Sequence, residues 1–138
     1  KSLQIPVEEG GGAASSPEGG FHWGPSVHWN TYLNCWVMLM GKVTGPSWKG
    51  DKVYISFNRS AGFDDPEKSQ EWTKPQLLWE KPGYNLWYPS LQPLTSPEDI
   101  ENKYTSLRLG KRARFFVKSL KPYDDQYSSE YIIEFNKN

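Results

Sequence analysis

The sequence carries a single cysteine, Cys35, among 138 residues, which excludes an internal disulfide and any cysteine-based zinc site. The absence of a disulfide does not fix the compartment. Net charge is lacking too. Sixteen Lys and Arg balance 16 Asp and Glu, which argues against a dedicated nucleic-acid binder, whose footprint is a basic excess. No apolar run approaches the roughly 18 residues that a membrane-spanning helix needs, and no signal-peptide pattern is present. The chain opens on Lys1 rather than Met, so a leader, tag or longer upstream segment is expected to have been removed.

What remains is aromatic. Hydrophobic residues make up only 36%, yet aromatics reach 15%, with 7 Trp, 8 Tyr and 6 Phe beside 12 Gly and 11 Pro. That balance suits short aromatic strands punctuated by turns, not a helical bundle. Disorder is disfavoured because so much aromatic surface would stay wet.

Residues 1–7 alternate, with Leu3, Ile5 and Val7 on one face of a short strand. Residues 8–20 form a Gly- and Ser-rich connector, and Gly10-Gly11-Gly12 lacks the Lys-Ser/Thr ending of a phosphate loop. Strands are expected at 25–30, 35–43, 52–58 and 75–80, then at 87–92, 113–119 and 129–136, separated by Gly, Pro and Asn turn signals. Ser96 followed by Pro97 predicts one helical turn within 96–107.

The two strand series echo one another. Trp23-Gly24-Pro25-Ser26-Val27 matches Trp87-Tyr88-Pro89-Ser90-Leu91 at a step of 64, and Ile55-Ser56-Phe57-Asn58 matches Ile133-Glu134-Phe135-Asn136 at a step of 78. Repeats of three or four short strands are the signature of propeller blades. The reading is all-β: antiparallel four-stranded propeller-like blades, about two of them in an incomplete ring. Residues 1–20 are strand and linker, and 21–82 and 83–138 are the blades. Residues 1–7 either belong to a blade lying upstream or supply the fourth strand of the last one. Two blades cannot cover their own faces, so upstream blades or further copies of the chain are expected as partners.

Gly24 to Leu33 (GPSVHWNTYL), Trp36 to Met40 (WVMLM) and Tyr54 to Phe57 (YISF) resemble a stretch of bacterial proteins related to five-bladed propeller glycosidases. Trp72 to Pro75, Trp87 to Pro89, Ala113 to Phe116 and Ser129 to Phe135 continue the resemblance in order, across about residues 21–136. It implies the last two blades of such a propeller. Arabinanase- and xylosidase-type propellers place an Asp base, a Glu acid and a tuning Asp at inner-strand starts, just before Pro or Gly-Pro. Here those positions hold Trp23-Gly24-Pro25 and Trp87-Tyr88-Pro89. The pair of carboxylates that glycoside hydrolysis requires is missing from them. The resemblance therefore implies a carbohydrate-directed part that binds rather than cleaves by itself. The alternative is a non-catalytic, self-associating interaction module.

On an inner strand Ser26, His28 and Asn30 share one face. His28 is then either a structural histidine bonded between blades or a contact to a sugar hydroxyl, a water or a channel cation, the last implied by the resemblance. Arg114 is either a bidentate clamp for a ligand or an interblade ion pair. Most tryptophans fall where a blade core wants large rings. Trp23 and Trp87, at equivalent blade entrances, are candidates to line a channel, and Trp48, in a turn, is the candidate exposed platform for a sugar face. The pairs Asp64-Asp65 and Asp124-Asp125 lack calcium-loop spacing. Arg108, Lys111 and Arg112 read as a solvated loop, Asn58-Arg59-Ser60 as a chance sequon, and Cys35 as a small buried hydrophobe. No resident cofactor is indicated.

Overall fold

In a computed structural model that describes residues 2–3, 21–43, 49–59, 71–121 and 124–137, the chain is mostly β. Trp48, the Asp64-Asp65 pair, Ser60 of the sequon and the connector 8–20 lie outside the described residues. The strands are β1 (Ser2–Leu3), β2 (Phe21–Asn30), β3 (Cys35–Val43), β4 (Lys52–Asn58), β5 (Gln76–Glu80), β6 (Asn85–Gln92), β7 (Arg108–Leu109), β8 (Arg112–Lys121) and β9 (Asp124–Phe135). The one helix among the described residues, α1 (Pro97–Glu101), starts as expected: Ser96 Oγ accepts the Asp99 amide and Pro97 opens the first turn.

The strands form two sheets, ordered β5-β4-β3-β2-β7 and β1-β9-β8-β6, which together make a strongly curled, half-barrel arrangement. Each is built on an antiparallel meander, because two-sided alternation and tight turns favour nearest-neighbour pairing. Two short parallel additions depart from the purely antiparallel expectation. Ser2–Leu3 runs beside Glu134–Phe135, so the first strand completes the last sheet. Arg108–Leu109 runs beside Trp29–Asn30 and adds a fifth strand to the first. Two residues carry no detectable alternation, which is why β7 is invisible in the sequence.

The sheets close on one core. Cys35, Val37 and Leu39 of β3, with Val53, Ile55 and Phe57 of β4, face Leu91, Ala113, Phe115, Val117, Ile133 and Phe135. Phe57 meets Phe135 edge to face at 6.4 Å, and Trp79 meets Phe115 at 5.7 Å. Such pairs contribute about 1 kcal/mol each beyond the area they bury.

The 23–27 and 87–91 match is structural. β2/β3 and β6/β8 share their ladder register pair for pair, from Phe21↔Val43 and Asn85↔Leu120 through His28↔Val37 and Gln92↔Arg114. Each carries its irregularity at the same place, between Trp23 and Ser26 and between Trp87 and Ser90. The 55–58 and 133–136 match is not in register: Phe57 pairs with Val37, whereas the residue opposite the equivalent Arg114 is Ile132, not Phe135.

Candidate functional site

The bulge that interrupts β2 lets its second half turn toward β6. Alternation beyond it places Ser26, His28 and Asn30 on the side that meets β6 and the segment 105–110. The free edge of β2 is occupied by that segment: the Trp29 amide donates to Leu107 O at 2.6 Å and the Thr31 amide to Leu109 O at 2.8 Å. Between these elements lies an open cavity of about 340 Å³ lined by Ser26, His28, Ser90, Gln92 and Ser106, with Val27 and Leu107 as its apolar side. No carboxylate and no lysine or arginine lines it.

His28 is 3% exposed and ties three parts of the chain together. Its Nε2 accepts the Leu91 amide of β6 at 3.2 Å, and only an unprotonated nitrogen can accept. The proton therefore sits on Nδ1, which donates to Ser106 O. Burial lowers the imidazole pKa below its ordinary 6.5, outweighing the Ser106 bond, which pulls the other way. The ring is neutral at pH 7.

Ser26 Oγ lies 2.9 Å from Nε2 and 2.7 Å from Pro89 O. A serine and a histidine at that spacing suggest nucleophilic chemistry. The local geometry argues otherwise: Leu91 N–H already holds the Nε2 lone pair, and the Pro89 carbonyl draws the serine proton. The arrangement is a clasp between the sheets that also forms one wall of the cavity.

The other expected site residues separate. Asn30 is buried and structural, its Nδ2 donating to Gly110 O at 3.1 Å and its Oδ1 accepting the Leu33 amide at 2.8 Å. Trp23 and Trp87 do come together, edge to face at 5.6 Å with Tyr88 against both, but neither lines the cavity. Arg114 pairs with Gln92 and shares its face of the second sheet, but it is half-buried and does not line the cavity. Among the described residues no three His, Cys, Asp or Glu side chains gather as a metal site, and both His28 nitrogens are spent on the protein. Ser90, Gln92 and Ser106 were missed as site residues. The repeated Pro-Ser of 25–26 and 89–90 was the available signal for Ser90, whereas nothing in the sequence brings Ser106 to β2.

No protein-family model, curated protein or solved structure matches the chain.

Proposed function

We propose that the chain binds a neutral carbohydrate in the cavity between β2 and β6, as part of a propeller-like β assembly, and does not cleave it. One observation carries this reading: the polar lining of the cavity is three serines, a glutamine and the neutral His28, with no charged side chain. Hydroxyls and amides both donate and accept, which matches the mixed demands of sugar hydroxyls, while a charged lining would select an ion instead. Val27 and Leu107 offer apolar surface for the C–H face of a ring. Glycoside cleavage would need a pair of carboxylates flanking the bond, and the lining contains none. The two stacked meanders, each led by an inner strand with the same bulge, support the propeller-like assignment.

Isothermal titration against a panel of neutral oligosaccharides tests this. Binding that weakens at least about tenfold in Ser90→Val and Gln92→Leu, with the melting temperature unchanged, is the expected result. A panel that gives no heat, or binding indifferent to both substitutions, would refute it. Nitrophenyl glycosides should show no turnover.

A further inference from the structure

The two sheets are fastened to each other on the side where β2 meets β6. There the Ser26 and His28 bonds cross between them, and the Leu86 amide donates to Gly50 O at 2.8 Å. On the other side of the core, between β5 and β9, a slot of about 70 Å³ opens between the sheets. Its lining is Leu78 and Trp79 of β5, Phe115 of β8, and Tyr131, Ile132 and Ile133 of β9. None of these residues lines the cavity between β2 and β6, so the two spaces are separate.

The slot has a buried floor and an exposed rim. Leu78, Phe115 and Ile133 are at most 2% exposed, whereas Tyr131 is 46% exposed. Trp79 stands edge to face against Phe115 at 5.7 Å and lies tilted against Tyr131 at 5.3 Å, with ring planes 71° and 53° apart. The three rings brace one another as a corner and leave the space beside them unfilled. A well-held water needs two to four polar partners. The side chains of the lining bring only the Tyr131 hydroxyl and the Trp79 indole N–H. Water is therefore poorly held in the slot, and an apolar group that displaces it gains the benefit of burial.

We propose that this slot binds the branched aliphatic end of a small neutral molecule, a group of about four carbons such as an isobutyl. Size narrows the ligand first. A dry cavity of about 150 Å³ takes benzene, so a space of about 70 Å³ suits a branched chain end rather than a whole ring. The exposed rim at Tyr131 leaves the polar remainder of the molecule in water. Charge narrows it next. A corner of aromatic rings is also the chemistry that holds quaternary ammonium ions. Here the other half of the lining is aliphatic, from Leu78, Ile132 and Ile133, and no carboxylate lines the slot to share a positive charge. The neutral group is favoured on both counts. The inference does not depend on the carbohydrate reading, since binding here is measured without a sugar.

Titration of the intact chain with 3-methylbutan-1-ol, followed by the isoleucine methyl resonances, tests it. The Ile133 methyl should shift saturably with a millimolar dissociation constant, the strength that so small an apolar group reaches. The methyl of Ile100, exposed on α1, should stay where it is. Leu78→Phe fills the slot from its floor and should weaken binding at least about tenfold. Should that ring disturb the core, Tyr131→Ala opens the aromatic corner from the exposed rim and should weaken binding at least about threefold. Choline and its uncharged isostere 3,3-dimethylbutan-1-ol separate the two ligand chemistries, and the neutral alcohol should bind more tightly. The absence of a saturable shift overturns the inference, and so does a shift shared equally by Ile100. Binding indifferent to both substitutions, or a preference for choline, overturns it as well.

Discussion

Gly24 and Tyr88 hold the same left-handed backbone conformation, with φ of 58° and 53°, at equivalent points of two bulges that face each other. A Cβ built on Gly24 would stand 3.9 Å from the Tyr88 ring, so space is not what keeps glycine there. Conformation is. The second sheet carries a tyrosine in the same geometry, where its ring, although 58% exposed, packs against Trp23 and Trp87. Left-handed backbone costs an ordinary residue about 1 kcal/mol.

Gly24→Ala should therefore lower stability by about 1 kcal/mol without moving the Trp23–Trp87 contact. Equilibrium denaturation gives the first quantity and near-ultraviolet circular dichroism the second. A loss above about 3 kcal/mol would mean that a steric clash, not the φ angle, dominates.

Gly50 is held for the opposite reason. A Cβ there would fall 1.5 Å from the Lys42 carbonyl oxygen, and the Gly50 carbonyl accepts the Leu86 amide that links the two sheets. The neighbour is backbone, so it cannot swing aside. Gly50→Ala should cost at least about 3 kcal/mol, well beyond Gly24→Ala, in the same denaturation experiment. Equal losses at the two sites would contradict the close approach.

Much of this fold was legible because its signals are local. Strands 35–43 and 52–58 stand where alternation put them, and Ser96-Pro97 starts the helix because an N-cap and a fixed φ act within one turn. The Trp-x-Pro-Ser repeat survives because a bulge is a local backbone device. The cavity was only half legible. Ser26, His28 and Asn30 lie on one inner-strand face as alternation implied, but Ser106 reaches His28 across 78 positions of sequence, through a loop with no periodic pattern. The similar letters at 55–58 and 133–136, which share three of four residues, misled about register, because register is set by partner strands and turns rather than by a strand's own composition.

Cys35 is fully buried at the start of β3, and burial pushes its thiol up to about 11, the Arg59 charge opposing only in part. Thiolate is the reactive form, so at pH 8 about one thiol in a thousand is ionised and that one is enclosed. A thiol reagent such as Ellman's should leave the native chain unmodified over an hour and titrate one thiol in denaturant. Rapid native labelling would show that β3 opens locally.

The His28 clasp predicts how stability depends on pH. Its folded pKa is held below the 6.5 of the unfolded chain, so between those two values the unfolded state binds more protons and stability rises with pH. The contribution is complete above about pH 6.5 and is lost as pH falls through the window toward the folded pKa. Protonation would put a hydrogen on Nε2 against the Leu91 amide, which already points there. At pH 7.5, His28→Ala removes the Nε2 acceptor of the Leu91 amide and the Nδ1 donor to the Ser106 carbonyl together, leaving two backbone groups to water or to nothing, at about 2–3 kcal/mol. At pH 5 the wild type has already lost part of that advantage, so the gap between wild type and variant should narrow. Taking the difference between the two proteins isolates the His28 contribution. Denaturant unfolding of the pair at the two pH values decides the matter. A gap that stays constant would show that His28 remains neutral or keeps its bonds when charged, and a gap that widens would mean that the folded state favours the imidazolium.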